Sequence, residues 1–231
     1  TTSKKKIDNA RRFDSEYFHP KYDKIIKKIE NYYGGWGYVK DAVEWSKGAE
    51  VGSKAYINNG FDFIRVSDFS IYGVSDSNKK IGTTVYNDHK RRFAPIVGDI
   101  LFTKDGTIGL SYVIKEDMKC IISGAFLRLK IKNPQFLSEC LCLLLNSTLI
   151  KNQIDKTAGG AIISHLRPSD FENFKMPIFP KSIQQAIASK VEESYRLRAK
   201  SKVLLGQANK IVEDEMKKGA EKYELIAGGN I

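Results

Sequence analysis

The C-terminal part of the chain contains an uninterrupted stretch that is too long for an ordinary globular helix. Between Lys181 and Lys218 there is no proline, and Gly206 is the single glycine. Apolar side chains recur there at helical spacing, at Ile183, Ile187, Val191, Leu197, Val203, Leu204, Ile211 and Val212. A helix rises 1.5 Å per residue, so this one would extend about 55 Å. The sequence therefore predicts a folded domain over residues 1–180, followed by one long coiled-coil-like helix over 181–218.

The predicted helix does not have the regular seam of a free-standing zipper. Ser194, Arg198 and Ser201 fall near the apolar positions and interrupt the heptads. Pairing with another specific helix is therefore favoured, and we expect the distal half, from Leu197 to Val212, to contact a second chain. The alternative is that the helix folds back onto its own domain. Residues 219–231 carry little that can pack and are predicted to form a flexible tail.

The domain that precedes the helix reads as α+β. The segment from Ala94 to Lys130 predicts a meander of strands at 100–102, 110–114, 121–122 and 126–131. Lys104-Asp105-Gly106 is predicted to form a hairpin turn between the first two strands, with Lys104 and Thr107 at its tip. Helices are predicted at 20–33, 39–45, 136–145 and 149–154, after an irregular arm over residues 1–18. Residues 70–93 are polar and are predicted to form a long loop.

The charge balance favours a polyanionic partner. The chain has 38 Lys and Arg against 27 Asp and Glu, a net charge of +11, which suits nucleic acid better than a membrane surface. Six of the basic residues lie between Lys79 and Lys104, together with only two aspartates. The residues predicted to contact nucleic acid are Lys79, Lys80, His89, Lys90, Arg91, Arg92, Lys104, Thr107, Lys156 and Thr157. Gly159-Gly160 is either a backbone turn or a further phosphate contact.

No motif predicts catalysis, a cofactor or a metal. The sequence lacks the glycine-rich phosphate loop and the dinucleotide fingerprint. Its histidines and cysteines do not have zinc spacing, and they are His19, His89, His165, Cys120, Cys140 and Cys142. Cys140 and Cys142 lie in an apolar helical run and are interpreted as core thiols of a protein in a reducing cytoplasm. No stretch has the composition of a membrane span or a signal peptide, so a cytoplasmic location is predicted.

Four ordered motifs resemble type I restriction-modification specificity subunits. They are the FIRVSDF strand at Phe63–Phe69, the GDILFTKDGTIG hairpin at Gly98–Gly109, the segment Ala158–Leu166, and Phe174–Pro180 followed by Gln184-Gln185. The stretch Arg12–Pro20 is similar to the segment that leads into such domains. Each piece is weak alone, but the ordered set with this spacing is specific. The resemblance extends from about Trp36 to Lys217.

The resemblance implies a target recognition domain with a mixed sheet that reads half of a bipartite double-stranded DNA site. The long helix would be the spacer, and the implied partners are a DNA methyltransferase (modification) subunit and a restriction subunit. Family members usually carry two recognition domains and two spacers, whereas this sequence has one of each. The chain is therefore interpreted as a half-subunit that forms a homodimer, a fragment, or the recognition region of a fused type II enzyme.

Two other functions stay open at this point. A DNA nuclease or methyltransferase is disfavoured because the Asn/Asp/Ser-Pro-Pro-Tyr/Phe methylation motif and a cofactor loop are missing. A general RNA-binding or scaffold protein would show no preference for duplex DNA over single-stranded RNA of equal length. The favoured interpretation is a non-catalytic DNA specificity module.

Overall fold

The computed structural model describes residues 14–158 and 165–227, with side chains for 14–157 and 165–218. It divides into two compact units, one that ends at Ala188 and one that begins at Ser189. The predicted turn at Gly159-Gly160 and most of the arm over residues 1–18 lie outside the described residues.

The first unit contains six α-helices among its described residues, and a seventh begins in it. They are α1 (Pro20–Glu30), α2 (Val39–Ala42), α3 (Thr83–Phe93), α4 (Ser138–Leu145), α5 (Thr148–Ala158), α6 (Pro168–Phe171) and the start of α7 (Lys181–Ala227). Its strands are β1 (Trp36–Tyr38), β2 (Val43–Lys47), β3 (Tyr56–Ile57), β4 (Phe61–Ile64), β5 (Phe69–Ser70), β6 (Gly73–Val74), β7 (Lys80–Ile81), β8 (Ile100–Thr103), β9 (Ser111–Val113), β10 (Cys120–Ile122), β11 (Phe126–Ile131) and β12 (Lys175–Pro177). The predicted α+β class is confirmed.

Two four-stranded sheets form the centre of the first unit. One is antiparallel with the order β2-β11-β8-β9, and the other has the order β10-β4-β7-β3. In the second sheet β10 runs parallel to β4, whereas the remaining pairs are antiparallel, so this sheet is mixed. The strand pairs β1–β12 and β5–β6 are separate.

The expected meander over residues 94–130 is wrong in one respect. Its strands were all predicted correctly, but β10 leaves the sheet that contains β8, β9 and β11 and pairs with β4 instead. The three residues of β10 are all buried. A short strand of continuous apolar residues suits a position covered on both faces, and its sequence does not reveal which sheet it joins.

Strand β8 is buried along its whole length because it is covered on both faces. Ile100 and Phe102 belong to a cluster with Leu141, Ile150 and Phe171, while Leu101 belongs to another cluster. Burying an aliphatic or aromatic side chain of this size contributes about 1.5–3 kcal/mol. The central stretch of the sequence is therefore also the centre of the hydrophobic core.

Two predicted elements are corrected by the structure. The helix expected over 39–45 is a single turn, α2, and the chain continues as β2 because Val43 to Lys47 pair with β11. The loop expected over 70–93 contains the eleven-residue helix α3. Its apolar residues recur at helical spacing, at Val85, Tyr86 and Phe93, but polar residues dominate the composition and hide the period.

The helix bounds also differ from those predicted. Helix α1 ends at Glu30 rather than at 33, and α7 continues beyond Lys218 to Ala227. The start of α7 is fixed by the buried side chain of Gln184. Its Oε1 accepts from the Leu137 backbone N–H at 2.9 Å, and its Nε2 donates to the carbonyls of Gln135 and Phe179.

The three cysteines are buried and unpaired, and burial was predicted for Cys140 and Cys142. Burial raises the pKa of Cys120 to about 12 and the pKa values of Cys140 and Cys142 to about 11. Since the thiolate is the nucleophile and the metal ligand, these protonated thiols suit packing rather than chemistry. Within the described residues, no group of three or more His, Cys, Asp or Glu is arranged to hold a metal ion.

The connection between β8 and β9 depends on two glycines in the left-handed region. Gly106 has φ +68° and Gly109 has φ +90°. The buried Thr103 hydroxyl stabilises the loop through two hydrogen bonds. It donates to the Thr107 carbonyl at 2.6 Å and accepts from the Leu110 N–H at 2.9 Å. The hairpin predicted at this place is confirmed.

Replacement of Gly106 by valine is expected to lower the free energy of unfolding by about 1–3 kcal/mol, because a β-branched residue is strained at positive φ. At about 2–4 °C per kcal/mol for a chain of this size, the melting temperature should fall by several degrees. Thermal unfolding followed by circular dichroism measures it. Gly52→Val is the control, since a Cβ there meets nothing within 4 Å and φ is −65°. A Gly106→Val protein that keeps its melting temperature and loses only DNA binding would make the glycine a contact residue instead.

Candidate nucleic-acid interface

Helix α3 is fixed to the domain along one face. It packs against β10, and Val85, Tyr86 and Phe93 contact a buried cluster that includes Phe63 and Ile121. The Tyr86 ring stacks on the ring of Phe61 from β4, with centroids 3.8 Å apart and an interplanar angle of 7°. Just beyond the helix, Arg128 donates to the Ala94 carbonyl at 2.6 Å. The helix is therefore held rigidly on the surface of the mixed sheet.

The other face of α3 is polar and exposed. Thr84, Asn87, Asp88 and Arg91 are spaced i, i+3, i+4 and i+7, so they form one stripe, and each is exposed. Of these four, sequence reasoning named only Arg91. The signal that would have found the others is the helical period of the apolar residues Val85, Tyr86 and Phe93, which places Thr84, Asn87 and Asp88 on the opposite face.

The basic residues of α3 differ in how they are held. The Lys90 ammonium lies 5.8 Å from the centroid of the Tyr86 ring, and the Arg92 guanidinium lies 5.2 Å from that of Phe93. His89 is half-buried, and its Nδ1 is 3.0 Å from the Val85 carbonyl. Lys90, Arg91 and Arg92 are all exposed in the last turn of the helix. The structure thus brings four of the predicted contact residues onto one helix, and not onto a loop.

Lys79 and Lys80 lie shortly before this helix, at the start of β7. The Lys80 ammonium pairs with Asp62 Oδ1 at 2.5 Å across the β4–β7 pair. The Lys79 ammonium lies 5.7 Å from the centroid of the Tyr56 ring. Lys80 therefore stabilises the sheet through its ion pair, and its charge is already balanced by a carboxylate.

The expectation that Lys104 lies at an exposed hairpin tip is wrong. Only 6% of its side chain is exposed, and its ammonium lies 2.5 Å from Asp105 Oδ2. Asp105 also contacts His165 Nδ1. The connection between β8 and β9 spans seven residues, so its exposed part is at Gly106 and Thr107, while Lys104 is still within the core. A buried ammonium needs a carboxylate partner, which explains why the two residues are adjacent.

Lys156 and Thr157 belong to a different part of the first unit. They lie at the end of α5, which packs against α1. The Lys156 ammonium is 3.4 Å from Asp23 Oδ1 and 5.2 Å from the centroid of the Tyr17 ring. The Thr157 hydroxyl donates to the Gln153 carbonyl at 2.7 Å. The predicted contact residues thus fall into three groups, at α3 and β7, at the β8–β9 connection, and at the end of α5.

A groove of about 740 Å³ opens beside α3 and extends its basic surface. Its lining combines two aromatic rings with two cations, one imidazole and one carboxylate, at Trp45, Phe93, Lys47, Arg92, His89 and Glu50. One wall is β2, an edge strand of the antiparallel sheet. Aromatic rings and cations combine where proteins bind the sugars, bases and phosphates of nucleic acids.

A model of the type I restriction modification DNA specificity domain matches residues 62–203. This match covers more than half of the chain and includes α3, the β8–β9 hairpin and the first part of α7. The chain belongs to this family, and the resemblance read from its motifs is confirmed. No curated protein sequence matches it significantly.

Several solved structures share the fold at low sequence identity. A type I restriction-modification system studied for complex assembly and conformational transition has 15% identity and a TM-score of 0.54, with 93% of this chain and 53% of that chain covered. The HsdS subunit from Thermoanaerobacter tengcongensis has 14% identity and a TM-score of 0.50, with coverages of 79% and 44%. The type IIG restriction endonuclease BpuSI has 10% identity and a TM-score of 0.57, with coverages of 83% and 30%. The chain thus spans about half or less of these proteins.

Within the described residues, no helix combines the length and the apolar character that a bilayer crossing requires.

Proposed function

We propose that the chain recognises a specific double-stranded DNA sequence as the specificity subunit, or half-subunit, of a type I restriction-modification system. The observation that carries the proposal is the basic helix α3, seated rigidly on the mixed sheet inside a DNA specificity domain. In this role the chain directs methyltransferase and restriction subunits to the target and performs no chemistry itself. The cytoplasmic location belongs to the same proposal.

Binding to duplex DNA is expected to be strongly salt-dependent and tighter than binding to single-stranded RNA of equal length. Replacement of Lys90 and Arg92 by alanine should weaken binding and reduce the slope of log K against log salt by up to about two units, since each cation that neutralises a phosphate contributes about one unit. Fluorescence anisotropy titrations at several salt concentrations measure both quantities.

The matched control for this titration removes two charges from another surface. Lys24 and Lys28 are exposed on α1, and Lys24→Ala with Lys28→Ala should leave the slope unchanged. Equal slopes for the wild type and the Lys90, Arg92 variant would contradict the placement of DNA at α3. Equal affinity for RNA would favour the general nucleic-acid-binding alternative.

Incubation with S-adenosylmethionine and DNA separates the specificity role from an enzymatic one. The chain alone should transfer no methyl group, whereas the chain with its methyltransferase subunit should methylate one defined motif. Sequencing the methylated positions in cells with and without the chain identifies that motif. Methylation by the chain alone would overturn the non-catalytic role.

We further propose that the distal half of α7 pairs with a second copy of the chain or with a methyltransferase subunit. The supporting observation is the exposure of its large apolar side chains, at Leu197, Val203, Leu204, Leu205, Ile211, Val212 and Met216. Leu197, Leu204 and Ile211 are seven residues apart, which is the spacing of a coiled-coil seam. Apolar side chains in this arrangement are stabilised when another helix covers them.

A second candidate is the recognition region of a fused type II restriction enzyme. The similarity in fold to BpuSI favours it. Both candidates assign the same DNA-recognition role to this chain and differ in whether methylation and cleavage reside on the same polypeptide. An immunoblot that gives the size of the natural polypeptide separates them.

A further inference from the structure

The exposed stripe of α3 consists of polar side chains that the domain does not use for its own stability. Thr84, Asn87, Asp88 and Arg91 have exposed side chains, and across the described part of the chain none of them takes part in a side-chain hydrogen bond, an ion pair or a ring contact. The neighbouring basic residues differ from them, because the cations of Lys90 and Arg92 lie over the aromatic rings of Tyr86 and Phe93. The stripe is therefore a set of free hydrogen-bonding groups on a rigid support.

The residue types of the stripe match the edges of base pairs in the major groove. Arginine donates two hydrogen bonds to guanine O6 and N7, and asparagine pairs with adenine N6 and N7. Aspartate accepts from cytosine N4, while threonine bonds to several bases and contacts the thymine methyl group. Lysine and arginine alone would be sufficient to contact the phosphates of DNA. The additional threonine, asparagine and aspartate side chains therefore suit contacts to base edges.

The geometry of α3 also suits a groove. Eleven residues extend about 16 Å, and the major groove, about 12 Å wide, admits an α-helix. Successive residues of a helix differ by about 100° around its axis, so Lys90 and Arg92 project to the two sides of Arg91. Cations on both sides of a polar stripe would meet the phosphates on the two walls of the groove, while the packed face of α3 stays on the domain.

We infer that α3 enters the major groove, that Asn87 and Arg91 determine specificity by reading base edges together with Thr84 and Asp88, and that Lys90 and Arg92 hold the flanking phosphates. This inference rests on the proposed function and goes beyond it, because it assigns sequence discrimination to a helix and to named side chains.

Selection of bound duplexes from a random DNA pool tests the inference with the full chain. The wild type should enrich one motif. Arg91→Ala should relax the preference at one position of that motif, with discrimination reduced about 10- to 100-fold there. Asn87→Ala should relax an adjacent position. The matched control, Lys90→Ala with Arg92→Ala, should weaken binding to all sequences and keep the motif.

Arg91→Lys provides a second measurement in which the charge is kept constant. Lysine keeps the positive charge but not the planar two-donor group, so the preference should relax while the salt dependence stays that of the wild type. Circular dichroism confirms that each variant is folded, as expected for substitutions of exposed residues.

The outcomes separate the inference from the proposed function. Arg91 and Asn87 variants that bind every sequence more weakly but enrich the wild-type motif would overturn the inference and leave the DNA-specificity role intact. A wild-type chain that binds no duplex DNA, or enriches no motif, would overturn both. A loss of base preference in the Arg91 and Asn87 variants that is confined to one or two neighbouring positions of the motif supports the inference that α3 reads base edges.

Discussion

Replacement of Leu204 and Ile211 by lysine is expected to convert a dimer of this chain into monomers. The two side chains are 52% and 65% exposed in the single chain, so about half of each surface is available to a partner helix. Full burial of such a side chain contributes about 1.5–3 kcal/mol, and a dimer contains two copies of each. The dissociation constant should rise by at least about 100-fold. Sedimentation of the purified chain over a range of concentrations measures this change.

The control for this experiment adds the same charges to the opposite face of α7. Ala199 and Asn209 are exposed and lie away from the line that joins Leu197, Leu204 and Ile211. Ala199→Lys with Asn209→Lys should leave the association unchanged. A wild-type chain that sediments as a monomer would contradict self-association. If the double variant at 204 and 211 then still assembled with the methyltransferase subunit, the pairing role of α7 would be refuted altogether.

Replacement of Gly48 by alanine is expected to destabilise the first unit strongly. Gly48 lies at the junction of the two central sheets, where the Ala49 carbonyl accepts from the Gly124 N–H and the Ala49 N–H donates to the Ile122 carbonyl, at 2.8 Å each. A Cβ at Gly48 would be 2.1 Å from the Ser123 carbonyl oxygen and 2.6 Å from that of Ile122. Both obstacles are backbone atoms, so no rotamer change relieves the overlap and the sheets must separate locally.

The expected decrease for Gly48→Ala is about 3 kcal/mol in the free energy of unfolding, at the upper end of the range for overpacking. The melting temperature should fall by roughly 6–12 °C. Calorimetry or circular dichroism gives the value. Gly52→Ala, four residues away, is the matched control and should be nearly neutral, because its added Cβ meets no atom within 4 Å. A melting temperature for Gly48→Ala within a degree of the control would show that the backbones do not approach so closely.

Elements with a strong and regular period were predicted from the sequence, whereas the position of functional side chains was not. The strands at β8 and β11, the hairpin at Gly106 and the long helix α7 all follow from local signals. Helix α3 was missed because three apolar side chains among many polar ones do not reveal a packed face, and the cluster around Ile121 that they contact forms only in the folded chain. The stripe of Thr84, Asn87 and Asp88 was missed with it.

Lys104 shows most clearly where sequence reasoning reaches its limit. A lysine next to an Asp-Gly turn suggests an exposed cation, but Lys104 lies inside the domain, where Asp105 neutralises its charge and the exposed part of the connection begins only at Gly106. Lys80 was also predicted to contact nucleic acid, and the structure adds an ion pair between its ammonium and Asp62 from a neighbouring strand. Ion pairs between residues far apart in the chain depend on sheet register, which no local pattern contains.

Local signals in the sequence were sufficient for the α+β class, the long C-terminal helix and the family, because these depend on periodicity, on turn residues and on an ordered set of motifs. Three features became visible only in the folded chain: β10 joins the mixed sheet, the basic segment is a helix with one free polar face, and Lys104 is internal. The physical reason is that strand pairing and burial are set by residues distant in sequence, whereas helical and turn preferences are set by neighbours.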